Sequence, residues 1–264
     1  RKYHIPGGAL NELTKIDTPS FPIQFSAPMA DESDASLSRV SDSEYGAPKC
    51  RDGKSPTFSK VTTKTNIDER FRKTFIEAFE GADEQYRTTD PRQLQGRDRL
   101  TGSTAITLVT ANKSLHLANV GDSRAVLVHS DGSFTQMSRD HKPDCRDERE
   151  RIIAAGGSVT DNRVNGIFSL SRAIGDSEVK QYLIATPEVV SHALTERDLF
   201  VILGTDGLWN YVSNERVARI ALDGKCVHKI AKQLVTEAQN SHSSEKGNDN
   251  ITAMVINLKE YHIV

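Results

Sequence analysis

From about residue 66 onward the chain shows apolar residues at helical spacing. Phe71, Phe75, Ala78, Phe79 and Ala82 share one face of a 3.6-residue repeat. Asn66 stands ahead of them with Glu69 three residues on, the pattern of a capping box, so a helix is predicted over 66–87. Short apolar runs follow over 104–109, 114–120 and 124–128. The first two join through Ala111-Asn112-Lys113, and the third ends at the hairpin signal Asp131-Gly132. These runs predict an antiparallel three-strand meander within 101–128. Residues 147–155 read as a helix stopped by Gly156-Gly157. Residues 199–203 are continuously apolar, as in a strand buried on both faces. Helices are predicted over 217–221, with Ser213 and Asn214 as its N-cap, and over 227–238; a strand over 251–258 ends the pattern. Helices and strands do not alternate as βαβα, which argues against a doubly wound parallel sheet. Antiparallel strands with segregated helices predict an α+β layered sandwich.

Upstream the pattern fades. Residues 31–60 offer only Leu37, Val40, Tyr45 and Phe58 as large apolar side chains. So little burial does not offset the entropy of ordering, and the stretch is expected to be loop or disordered. Phe21-Pro22-Ile23-Gln24-Phe25 alternates, and Pro22 confines it to an edge strand. The shift predicts a divergent N-terminal segment, 1–65, followed by a folded domain, 66–264.

Composition narrows the classes. The net charge of −2 offers no basic surface for nucleic acid or an anionic membrane. No run of about 18 apolar residues predicts a membrane-spanning helix. Cys50, Cys145 and Cys226 are odd in number and form no CxxC pair, which disfavours a zinc site or a disulfide framework and fits a reducing compartment. The start, Arg1-Lys2-Tyr3-His4, has no initiator Met or apolar signal core, as in an internal start, an artificial boundary or a gene fragment. A soluble monomer of cytoplasm or nucleus is expected.

Three aspartates stand at expected strand ends beside glycine or a tight turn. Asp122 follows Val120-Gly121, Asp206 lies in Gly204-Thr205-Asp206-Gly207, and Asp249 lies in Gly247-Asn248-Asp249-Asn250. Carboxylates at neighbouring strand mouths converge, and all-oxygen ligands suit hard cations such as Mg²⁺ and Mn²⁺. The competing reading is that Asp-Gly and Asn-Asp steps are simply turns. A carboxylate closing an apolar strand favours the metal, because an uncompensated charge there is costly.

A series of short blocks follows in order: Gly102-Ser103-Thr104-Ala105, Ala118-Asn119-Val120-Gly121-Asp122-Ser123-Arg124, Asp140-His141-Lys142-Pro143, Ala155-Gly156-Gly157, Arg163-Val164-Asn165-Gly166, Ser171-Arg172-Ala173-Ile174-Gly175-Asp176, Asp206-Gly207-Leu208-Trp209 and Asp249-Asn250-Ile251-Thr252. In this order the blocks resemble those of the metal-dependent serine/threonine protein phosphatases of type 2C. They cover about residues 66–258. The resemblance implies a four-layer α/β/β/α sandwich with a binuclear Mn²⁺ or Mg²⁺ centre between the sheets. It implies attack by a metal-activated hydroxide on phosphoserine or phosphothreonine of a phosphoprotein. Carried over, Asp206 and Asp249 ligate the first metal, and Asp122 with Asp206 supports a weaker third position.

Two departures stand out. Asn210 follows Asp206-Gly207-Leu208-Trp209 where the family has Asp, and an amide is a weaker ligand for a hard cation. The family's N-terminal Asp-Gly-His-Gly, which supplies a bridging Asp and a His acid, is absent; Arg51-Asp52-Gly53-Lys54 comes nearest and reads as a turn. Three readings follow: an active phosphatase, a non-catalytic member that binds partners or phosphoproteins, or a truncated product. His141 is expected to be structural, Trp209 to lie in the core, and Arg172 either to bind phosphate or, preferably, to pair with Asp176.

Overall fold

A computed structural model of the chain describes residues 61–88, 101–224, 226–241 and 249–261. The expected edge strand at 21–25, the loop at 31–60 and the turn at Asp52 lie outside the described residues.

The order of elements is α1 (Val61–Thr88), β1 (Gly102–Ser103), β2 (Ala105–Ala111), β3 (Ser114–Val120), β4 (Arg124–His129), β5 (Phe134–Gln136), α2 (Arg146–Ala154), β6 (Val159–Thr160), β7 (Arg163–Val164), β8 (Ile174–Gly175), β9 (Glu188–Ala193), β10 (Asp198–Gly204), α3 (Asp206–Trp209), α4 (Asn214–Asp223), α5 (Val227–Ser241) and β11 (Ala253–Asn257). One sheet runs β2-β3-β9 and the other β11-β10-β4-β5, with every pairing antiparallel.

The period of two along the strands builds the layers. On β3, Leu115 and Leu117 point between the sheets, where they meet Ala125 and Leu127 of β4 and Val201 and Leu203 of β10. The alternate residues of β3, Ala118 and Val120, point outward and pack under Phe75 and Phe79 of α1. On the second sheet, Val126, Val128 and Ile202 face outward onto α3, α4 and α5, through Leu208, Val217, Ile220, Ile230 and Leu234. Helix, sheet, sheet and helices therefore stack as four layers, which is the expected α+β sandwich.

Two local expectations are corrected. The first helix begins at Val61, so Asn66 lies inside it rather than at its N-terminus. The three apolar runs do not form a meander. Both edges of β3 are taken, by β2 and β9, so β4 leaves that sheet and pairs with β10 and β5 in the other. The hairpins on either side form as expected. Asn112 and Lys113, at φ 50° and 55°, turn β2 into β3, and Gly132, at φ 86°, turns β4 into β5. Ser213 caps α4 by accepting a hydrogen bond from the Arg216 backbone N–H at 3.2 Å.

Candidate active site

The crossing from β3 to β4 makes the site. Arg124, the first residue of β4, pairs with Gly204, the last of β10, and Gly204 also pairs with Ala253, the first of β11. Asp122 lies just before Arg124, Asp206 just after Gly204, and Asp249 just before Ala253. Three aspartates thus extend past one register point on three adjacent strands.

Their charges feel one another. Burial raises the Asp206 carboxyl above the ordinary range, and the negative charges of Asp122 and Asp249 raise it further, against a downward pull from Lys142. Asp122 is buried, Asp206 half-buried and Asp249 exposed. Among the described residues no three His, Cys, Asp or Glu side chains form a ready-made metal cage. The donor chemistry nevertheless fits one hard divalent cation. The donors are carboxylate oxygens only, they are mutually repelling, and exposure at Asp249 leaves room for water to complete a coordination shell.

Local hydrogen bonds fix each carboxylate-bearing turn. Gly121, at φ 99°, is held from both sides by His141: its N–H donates to His141 Nδ1 at 3.1 Å, and its carbonyl accepts from the His141 N–H at 3.0 Å. Asn119 Nδ2 donates to the same carbonyl at 3.2 Å. A Cβ on Gly121 would come within 2.3 Å of Thr104 Cγ2, so the Gly-Ser-Thr-Ala block lies directly against this turn. Thr104 and Ser123 share a hydroxyl hydrogen bond at 3.0 Å. Thr205 ties the other two turns together. Its N–H donates to the Thr252 carbonyl at 3.2 Å, and its Oγ1 accepts from the Thr252 N–H at 3.1 Å. A Cβ on Gly207 would lie 2.3 Å from the Asn250 carbonyl oxygen, so Asp206 and Asp249 can approach only across a glycine.

Trp209 is buried as expected and donates Nε1–H to the Gly204 carbonyl at 2.9 Å. Arg124 lies 5.3 Å from the Trp209 ring centroid while its Nε bonds Asp140 Oδ1 at 2.8 Å. His141 is fully buried and structural, as expected. Burial, with the Arg172 charge, pushes its imidazole down to about 4. Its Nε2 has no hydrogen-bond partner among the described residues.

Arg172 is corrected. It neither faces the aspartates nor pairs with Asp176. Its Nε donates to Glu148 Oε1 at 2.9 Å, and its Nη1 to the Thr186 carbonyl at 2.9 Å. Arg151 donates to the other Glu148 oxygen at 2.8 Å. Burial alone would raise the Glu148 carboxyl, but the hydrogen bonds from Arg172 and Arg151 outweigh it and hold it at about 2. Asp176 is instead buried near Asp83 and Lys180, and burial raises its carboxyl.

Lys142 had no role in the sequence reading. Its Nζ donates to Asp122 Oδ2. Asp-His-Lys-Pro marks the residue as part of a block, but nothing in spacing shows that it reaches back across twenty residues of chain.

The model of the family "Protein phosphatase 2C" matches residues 24–247. The chain belongs to the protein phosphatase 2C family. The match begins well upstream of residue 66, from which the blocks were legible. The rice "Probable protein phosphatase 2C 59" (Oryza sativa subsp. japonica) is 38% identical over 209 residues, which is 77% of this chain and 62% of that protein. The "Probable protein phosphatase 2C 11" of Arabidopsis thaliana is 32% identical over 272 residues, 96% of this chain and 71% of that protein. A crystal structure of serine-threonine phosphatase 2C from Toxoplasma gondii matches with a TM-score of 0.63 at 24% identity, covering 76% of this chain and 71% of that one, and so shares the fold. The chain spans 62% of the length of the rice relative and 39% of "Probable protein phosphatase 2C 71" from Arabidopsis thaliana. Among the described residues no helix is long and apolar enough to cross a membrane.

Proposed function

We propose that the chain hydrolyses phosphoserine and phosphothreonine in phosphoproteins, with Asp206 and Asp249 holding Mn²⁺ or Mg²⁺ and Asp122 beside them. The observation that carries this reading is the raised Asp206 carboxyl, gathered with Asp122 and Asp249 beyond one register point of the second sheet. Repelling carboxylates at a solvent-facing strand mouth are stabilised by a divalent cation, beyond what the single Lys142 ammonium supplies. When bound, the cation supplies a lowered water pKa and a counter-charge for the phosphoryl group.

The chain's own residues do the rest. Asp206 and Asp249 orient the cation. The Gly121–His141 clamp holds Asp122 in reach of it, and the Thr205–Thr252 hydrogen bonds keep the two ligand turns in register. Asn210 Nδ2 approaches Asp206 Oδ2 at 3.5 Å, a weak neutral contact that leaves the carboxylate able to bind a cation. With no Asp-Gly-His-Gly His in the sequence, a leaving-group proton would be unassisted, at a cost of roughly 10²–10⁴-fold in rate.

A second reading, a non-catalytic partner-binding role, is favoured by one observation: no three side chains among the described residues form a metal cage. The assay that separates the two is phosphate release from a phosphothreonine peptide at millimolar Mn²⁺, with Asp206→Ala in parallel. Slow release that Asp206→Ala abolishes supports the phosphatase. Release equal in both proteins, or none from either folded protein, favours the partner-binding role.

A further inference from the structure

Lys142 is placed with unusual firmness for a lysine. The residue before it, His141, is locked to Gly121 by two hydrogen bonds, and its own N–H donates to the Asp140 carbonyl at 3.0 Å. Asp140, one of the two carboxylates two residues away in sequence, is engaged by Arg124 through Nε at 2.8 Å and Nη2 at 2.7 Å. The Lys142 ammonium reaches instead to Asp122 Oδ2, with the Lys142 side chain 30% and the Asp122 side chain 7% exposed. Its charge carries on to Asp206, whose carboxyl it pulls down against the upward push of burial, Asp122 and Asp249. One ammonium therefore touches one of the three carboxylates and acts on a second.

We propose that Lys142 is a tethered competitor for the divalent cation. Its ammonium holds an oxygen of Asp122 that a bound cation would otherwise share, confines the cation to Asp206 and Asp249, and sets the concentration at which it binds. This rests on the reading of Asp206 and Asp249 as cation ligands. An ammonium and a divalent cation compete for the same carboxylate oxygens, and each weakens the binding of the other through like-charge repulsion in a partly desolvated site. The alternative role has the opposite sign. A lysine that merely steadied Asp122 as a ligand would help the cation bind, and its removal would weaken binding.

The test is direct Mn²⁺ binding to the whole chain, followed by electron paramagnetic resonance of free Mn²⁺ and by calorimetry, for the unmutated protein, Lys142→Met, Lys142→Arg and Asp206→Ala. Lys142→Met is expected to bind Mn²⁺ about tenfold tighter, a change of about 1.4 kcal/mol. Lys142→Arg, which keeps the charge, is expected to stay near the unmutated affinity. Lys142→Gln serves in the same comparison if circular dichroism shows that Lys142→Met is unfolded. Equal or weaker binding by the uncharged variants, beside measurable binding by the unmutated protein, overturns the competitor role and leaves the cation site standing. No Mn²⁺ bound by any of the proteins sinks both readings. Binding gained only in the uncharged variants, and lost again when Asp206→Ala is added, supports both.

Discussion

Single residues decide whether the aspartate turns can form. Gly121 sits at φ 99°, and any Cβ there would lie 2.3 Å from Thr104 Cγ2. Gly121→Ala meets both a left-handed backbone and a hard contact, and is expected to cost on the order of 1–3 kcal/mol, read as a lower urea midpoint. Gly81 in α1 is the control. Nothing lies within 4 Å of where a Cβ on Gly81 would stand, so Gly81→Ala should stabilise by roughly 0.5–1 kcal/mol. Equal midpoints for the two variants would show that the turn is not held as described. At this scale the sequence was most informative where chain position and chemistry coincide. Asp122, Asp206 and Asp249 were legible because each ends or precedes an apolar run beside a glycine or a turn. Lys142 was not, because a long side chain reaching back to Asp122 leaves no trace in spacing. Arg172 was misassigned because Asp176 is near it in sequence, whereas Glu148, its partner, is near it only in space.

Elements were readable one by one, but their pairing was not. Short apolar runs marked β2, β3 and β4, yet such a run says that a strand is buried without saying in which sheet it lies. The β3–β4 step looked like a hairpin because the connection is short. It became a sheet crossing because β9, which lies far along the chain, takes the free edge of β3. The contacts that join α2 to the 171–186 segment depend on a buried charge in the same long-range way. Glu148 is 1% exposed and held by Arg172 and Arg151, while the Ser171 carbonyl also accepts from Arg151 at 2.8 Å. Arg172→Ala leaves the carboxylate buried with Arg151 and, at 3.9 Å, the more distant Arg139 as its cationic partners. The loss is expected to be about 3 kcal/mol, since breaking one side of a buried pair exceeds the net worth of the pair. Urea unfolding at pH 7.5 measures it, and a loss under about 1 kcal/mol would mean that water reaches Glu148.

At the scale of the whole molecule, two buried groups on the same side of the fold make stability depend on pH in two successive windows. His141 is buried neutral, with Nδ1 accepting from Gly121, and its imidazole is pushed from 6.5 down to about 4. Between those values the unfolded chain binds a proton that the folded chain refuses, so stability rises with pH there and is lost as pH falls below 6.5. The size is roughly 3 kcal/mol. Glu148 is lowered from 4.5 to about 2, so its contribution is fully present above 4.5 and is lost as pH falls through that lower window. Typical domains have only about 5–15 kcal/mol in total, so the first window alone should move the urea midpoint visibly before any carboxylate near 4 is titrated. His141→Asn offers Gly121 an acceptor that does not titrate. Its midpoint, measured at pH 7.5, 6.5, 5.5 and 4.5, should be nearly flat where that of the unmutated chain falls. Glu148→Gln removes a charge that holds the His141 imidazole up, so it should deepen the upper decline while flattening the one below 4.5, at the cost of a lower midpoint throughout. A midpoint for the unmutated chain that holds constant from pH 7.5 to 4.5 would mean that His141 takes up its proton without unfolding, and that the turn presenting Asp122 is open to water.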